Sequence, residues 1–171
     1  MKRQSFFVVL VLFVLSGAVL AYDSKDGDFS LQPPQGWGLN DEGMFGTVVS
    51  LIPKAEKIPL FAVMILMERK DPGGVALQEY VARKVEKLSS NGRKILSQPA
   101  QRTLGGIPAL EYTYAKEASD AKASKTRVIV SLNKGKAYAL TYLADAPFYE
   151  RYLGDFEGVV RSFTWRTGSP K

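Results

Sequence analysis

The sequence predicts an α+β domain, an antiparallel β-sheet with helices laid on it. Three features carry that expectation. Residues 60–67 read Leu-Phe-Ala-Val-Met-Ile-Leu-Met without one polar residue, which is strand length and apolar on both alternating faces. Residues 77–88 and 148–163 repeat their apolar side chains at helical spacing. Between them, from Ile95 to Tyr142, the period is two and glycine-containing turns punctuate it. Strands and helices in that order suit an antiparallel sheet under helices and not alternating parallel units.

The chain opens with Lys2 and Arg3, an apolar run over residues 6–15, a break at Ser16-Gly17, and small residues in Val19-Leu20-Ala21. That layout marks residues 1–21 as a cleavable secretory signal. A retained anchor is the competing reading. Residues 6–21 supply only 16 positions, with an interruption, against the roughly 20 apolar residues of a spanning helix. The expected organisation is a signal at 1–21, a flexible lead-in at 22–28, one domain at 29–166 and a tail at 167–171.

Phe29-Ser30-Leu31 starts a strand that Pro33-Pro34-Gln35-Gly36 stops, and the apolar stretch at 44–52 ends at Pro53. Residues 60–67, covered on both sides, are the candidate central strand. After Asp71-Pro72-Gly73-Gly74 comes a helix. Leu77, Val81, Val85 and Leu88 form its buried stripe with Tyr80 beside them, while Arg83, Lys84, Glu86 and Lys87 belong to its polar face. Asn91-Gly92 suits a left-handed C-terminal cap.

Gly105-Gly106 permits the positive φ angles of a tight hairpin. Beyond it Leu110, Tyr112 and Tyr114 share one face, opposite Ala109, Glu111 and Thr113. Residues 116–125 read as a long exposed loop. Val128, Val130 and Leu132 then alternate with Arg127, Ile129 and Ser131, and Asn133-Lys134-Gly135-Lys136 turns the chain into a strand carrying Tyr138, Leu140 and Tyr142. Asp145 as N-cap and Pro147 in the first turn open the last helix. Its apolar face is Phe148, Tyr152, Phe156, Val159, Val160 and Phe163.

Composition narrows the chemistry. The chain has no Cys, so an exported domain must hold together by its core alone. At about 150 residues it can, because a chain of that size buries around 70% of its unfolded surface. Without Cys there is no thiol catalysis, no thiolate-bound metal and no lipid-modified N-terminal cysteine. Without His, the Ser-His-Asp and Cys-His triads and the usual imidazole metal site are excluded. Once Lys2 and Arg3 leave with the signal, 21 basic residues face 17 acidic ones, a net charge of +4. The bases are dispersed among acids. That pattern fits a solvated surface better than a tail for an anionic partner, and nucleic acid is not an expected partner.

Carboxylate pairs for glycoside hydrolysis would have to come from Asp41 with Glu42, or from Glu111, and surface charge accounts for each. A Ser-Lys dyad would need Ser124 or Ser131 beside a buried lysine. Gly73-Gly74 and Gly105-Gly106 lack the lysine and the spacing of a phosphate loop. Trp37 suits a plug at the end of a core better than a ligand mouth. Tyr112, Tyr114, Tyr138 and Tyr142 line a groove or, more in keeping with such rings, close one face of the sheet under a helix. No catalytic, cofactor-binding or metal-binding residue is assigned.

The order of several short segments resembles the PsbP-like superfamily. They are Phe29-Ser30-Leu31 with Pro34-Gln35-Gly36-Trp37; Thr103-Leu104-Gly105-Gly106-Ile107-Pro108-Ala109; Gly135-Lys136-Ala137-Tyr138-Ala139-Leu140-Thr141-Tyr142; and Val160-Arg161-Ser162-Phe163. The resemblance implies an antiparallel sheet sandwiched by helices (α/β/α) and a binding or assembly role in place of catalysis. Histidine-containing metal sites and a lipid-anchoring Cys, found among photosynthetic relatives, have no counterpart here.

The expected function is a non-catalytic exported binding or assembly factor of the cell envelope, acting without a cofactor, with another envelope protein or complex as partner. An envelope hydrolase, a photosystem II-associated lumenal accessory protein and a membrane-surface protein held by an uncleaved signal are the alternatives. The signal reading is tested by N-terminal sequencing. The mature chain should begin at Tyr22 and be recovered in the soluble envelope fraction; full-length chain in washed membranes would refute it.

Overall fold

The computed structural model describes residues 20–117 and 123–167. In chain order they form β1 (Tyr22–Asp23), β2 (Phe29–Leu31), β3 (Trp37–Asn40), β4 (Val49–Pro53), β5 (Val63–Lys70), α1 (Leu77–Ser90), β6 (Lys94–Leu104), β7 (Ile107–Lys116), β8 (Ser124–Asn133), β9 (Lys136–Asp145), α2 (Tyr149–Ser162) and β10 (Thr164–Trp165). Seven strands make one sheet in the order β3-β4-β5-β9-β8-β7-β6, antiparallel at every pairing. A small sheet, β1-β2-β10, joins the two ends of the domain. The architecture is the expected α+β sandwich, with α1 on one face of the large sheet and α2 on the other.

Two glycine turns set the register of the long strands. Gly105 and Gly106 have φ of 56° and 83°, and Lys134 and Gly135 have 47° and 71°. A two-residue hairpin turn of the twist-compatible kind needs both central residues left-handed. Gly105 is constrained twice, since a Cβ there would lie 2.8 Å from the Trp165 ring. At the end of α1, Gly92 (φ 72°) lets the Arg93 amide donate to Leu88 O, the closing bond of a left-handed helix cap.

The face under α2 is the main core. Val63, Ile65, Met67, Leu140, Tyr142 and Phe156 are sealed from solvent. Tyr142 stacks on Phe156 and donates its hydroxyl to Tyr149 O at 2.6 Å. Trp37 plugs this core as expected, its indole N–H donating to Asp155 at 3.0 Å. Toward β6, Arg102 and Arg127 from the sheet alternate with Glu111 and Glu157 in a closed ring of four ion pairs that ties α2 to three strands. The face under α1 holds a smaller cluster, with Val81 against Leu110, Tyr112, Val128 and Val130.

Several expectations need correction. The strand anticipated at residues 60–67 begins at Val63 and runs to Lys70, beside the central β9 and not at the centre itself. Phe61 takes a left-handed φ of 67° and Leu60 is 73% exposed. Nor is this strand covered on both sides, because Met64 and Leu66 are only half-buried. The supposed lead-in at 22–28 is built into the fold: Tyr22 and Asp23 pair with β2, and the Ser24 hydroxyl accepts from the Asp28 and Phe29 amides.

The loop drawn at 116–125 is shorter than expected, because Lys116 pairs with Ser124 in the β7–β8 ladder. Asp145 precedes a 3-10 turn (Ala146–Phe148) containing Pro147, makes no side-chain cap, and leaves α2 to begin at Tyr149. The four tyrosines do not share a face. Tyr112 and Tyr114 lie under α1, while Tyr138 and Tyr142 belong to the core under α2. The signal at 1–21 falls outside the described residues except for its last two positions, and the tail at 167–171 falls outside except for Thr167.

Val63 is fully enclosed, whereas Lys84 lies half-buried on the flank of α1. A charge at position 63 faces a desolvation cost of several kcal/mol. Val63→Asp should therefore give no cooperative thermal unfolding by circular dichroism, while Lys84→Asp should melt within a few degrees of the parent. Equal melting temperatures would overturn this packing.

Candidate functional site

One helix cannot cover one face of a seven-stranded sheet. At about 4.8 Å per strand, the outer strands are about 29 Å apart, and a helix with its side chains is about 10–12 Å across. α1 packs on β6, β7 and β8. Beyond its edge the same face of β9, β5 and β4 presents Leu143, Leu66, Met64 and Ile52, all half-buried, with no element of the described residues across them. The result is a cleft of about 420 Å³ along the side of α1.

Its floor is apolar but for Thr141: Leu66, Val128, Val130, Ala139 and Leu143 surround that one hydroxyl. Strand alternation places them there, since the neighbours Ile65, Met67, Ile129, Leu140 and Tyr142 face the other core. Tyr112 and Tyr114 stack at the foot of the helix, with ring centroids 6.4 Å apart. Along the helix edge, Tyr80, Lys84, Lys87, Leu88 and Asn91 recur at intervals of three and four, the spacing that lines up side chains on one flank. The Lys84 ammonium sits 5.3 Å from the centre of the Tyr80 ring. Burial pushes the Tyr80 and Tyr112 phenols above their ordinary value, so both are neutral donors at any ordinary pH. Glu68 is the one carboxylate lining the cleft, and it is paired with Lys70 at 2.8 Å.

A second concavity of about 500 Å³ lies at the carboxyl-terminal end of β5 and is lined almost wholly by charges. Those charges satisfy one another. Asp28 accepts from the Tyr138 hydroxyl at 2.6 Å and from Arg69 at 3.0 Å, with Lys134 at 3.7 Å. Arg69 also pairs with Asp26, and Lys136 approaches Asp71 at 3.9 Å. Burial raises the Asp28 carboxyl, but the Tyr138 and Arg69 hydrogen bonds and the nearby cations outweigh it and hold the group below its ordinary 3.8.

The residues weighed for catalysis are dispersed and engaged elsewhere. Glu111 is locked between Arg102 and Arg127 in the four-membered ring, whose side chains are 19–27% exposed. Asp41 pairs with Lys25 at 3.0 Å, and the neighbouring Glu42 has its amide bonded to Asn40. Ser131 is buried and donates to Pro108 O, while the lysine beside Ser124 in the chain, Lys125, lies over the Tyr149 ring. Among the described residues no three carboxylates cluster as a metal site. Sequence reading missed the cleft because Lys84 and Lys87 look like ordinary solvated positions and Leu66 looks like core. The available signal was the unbroken apolar run of residues 63–67 in β5, where one covering helix could protect only half the sheet.

Solved structures share this architecture. LpqN of Mycobacterium tuberculosis, described as involved in cell envelope biogenesis, superposes with a TM-score of 0.66 at 14% identity, over 86% of this chain and 90% of its own. Cyanobacterial PsbP from Synechocystis sp. PCC 6803 gives 0.61 at 14% identity, over 91% and 98%. The chain has a PsbP-like fold. A Pseudomonas aeruginosa protein of unknown function gives 0.56 at 14% identity, over 91% and 99%. No protein-family model and no curated protein matches the sequence.

The resolved shifts all point away from neutrality. Asp28 is lowered, Lys70 is raised by its hydrogen bond to Glu68, and Tyr138 is pushed up to about 12 by burial and by its bond to Asp28. A lowered carboxyl stabilises the fold above its unfolded pKa and loses that contribution as pH falls through the folded value. A raised phenol contributes fully below its unfolded value of 10.0 and loses the contribution as pH climbs toward 12. Stability should therefore be flat between about pH 5 and 8, and fall below the ordinary aspartate value of 3.8 and above the ordinary tyrosine value of 10.0. Asp28→Asn should be less stable than the parent at pH 7, with the gap closing on acidification. Chemical unfolding across pH checks this; a step near pH 6 to 7, or a gap independent of pH, would contradict it.

Proposed function

We propose that the chain is a non-catalytic, exported binding module of the cell envelope, and that the cleft beside α1 is where it binds. The observation that carries this reading is the half-covered sheet face: an apolar floor, a flank of donors and cations, and no covering element among the described residues. The volume falls within the roughly 300–1,000 Å³ typical of small-ligand sites, which are apolar with a few placed polar groups. Ion-paired Glu111 and Asp41 and a Ser131 hydrogen-bonded to backbone support binding in place of catalysis. The export reading rests on the layout of residues 1–21. The role ascribed to LpqN is in keeping with an envelope setting.

Thr141 lies on the cleft floor between Leu66 and Val128 in the strand register, so Thr141→Trp places an indole in the cavity. The mature parent should bind an uncharged solvatochromic dye such as Nile red at one saturable site. Thr141→Trp should weaken it at least tenfold with an unchanged melting temperature, and Ala139→Phe should do the same. Saturable binding that ignores both substitutions would refute the assignment, as would no binding by the parent.

A further inference from the structure

Given that the cleft is the binding site, its electrostatics specify the ligand. We infer that it receives a single-chain anionic amphiphile of the fatty-acid class, with the hydrocarbon on the sheet and the carboxylate at the α1 flank. Lys84 and Lys87 both line the cleft, and neither pairs with a carboxylate among the described residues. Of the acids beside them, Glu68 holds Lys70, Glu79 holds Arg83, and Glu86 is exposed and does not line the cleft. The rim is thus doubly positive over an apolar floor, the complement of a molecule with one anionic end and one hydrocarbon end.

Two further observations narrow the class. The cleft is lined by lysines and by no arginine, and a lysine acts as a point charge, where the arginine fork is the group suited to bidentate phosphate recognition. A carboxylate needs only the former. Tyr112, 4% exposed, lines the same cleft, where its hydroxyl can donate to an incoming acceptor.

The test is isothermal titration of the purified, delipidated mature chain with decanoate and with 1-decanol, both below their aggregation limits. These share a tail and differ in head-group charge. Decanoate should bind one site at least tenfold tighter than decanol. The double variant Lys84→Gln/Lys87→Gln, with its melting temperature unchanged, should bring decanoate down to the decanol affinity and leave decanol unaffected. Raising the salt concentration should narrow the difference between the two ligands in the parent. Equal affinities in the parent, or decanoate binding indifferent to the lysines, would overturn this inference while leaving the cleft as a binding site. If neither ligand binds and the uncharged dye also fails, the binding-site reading falls with it.

Discussion

A seven-stranded antiparallel sheet has two faces to shield, and the described residues supply two helices of fourteen residues to shield them. The faces meet this constraint unequally. Under α2 the small β1-β2-β10 sheet widens the cover, bringing Phe29 onto Phe163 (centroids 5.3 Å apart) and Trp165 against Tyr138 (4.9 Å). Under α1 no element of the described residues plays that part. The apolar residues of β5 and β9 on that side are therefore left at the margin of a helix, and the cleft follows from the count of covering elements.

Without disulfides, the covered face is fastened by polar ties between segments distant in sequence. The ring of Arg102, Glu111, Arg127 and Glu157 is one such tie, and Asp28 with Tyr138 and Arg69 is another. Each places charge in partly buried surroundings, where losing one partner strands the others and costs more than a solvent-exposed pair would. Apolar burial supplies the bulk of the driving force; these clusters fix which strand lies beside which helix residue. They also hold the carboxylates of Asp28, Glu111 and Glu157 in ion pairs.

Much of the fold was legible in the sequence, for local reasons. Gly105-Gly106 and Lys134-Gly135 announce hairpins because few other pairs tolerate two left-handed residues, and the stripes of α1 and α2 follow from their 3.6-residue period. What escaped was decided by tertiary partners. Tyr22 and Asp23 look like a polar leader until β2 lies beside them. Tyr112 and Tyr138 look alike in their alternating strands, yet opposite faces take them. A two-sided apolar strand reads as fully enclosed because periodicity reports polarity, and Leu66 has the polarity of a core residue whether its neighbour is a helix or a ligand. The half-covered sheet face was hidden in the sequence as apparent core.

The clasp formed by β1, β2 and β10 also governs when this protein can finish folding. Ser30 pairs with Thr164, their hydroxyls 2.7 Å apart, and the Trp165 indole reaches back to Leu104 O at 2.7 Å. The hairpins of β6 to β9 are built from neighbours in sequence and can form early, but the pairing of β2 with β10 joins residues more than a hundred positions apart, and long-range closure is slow. A chain emerging amino end first cannot shut the small sheet until Trp165 is out. Until Trp165 arrives, Phe29 and Ser30 lack the strand that clasps them.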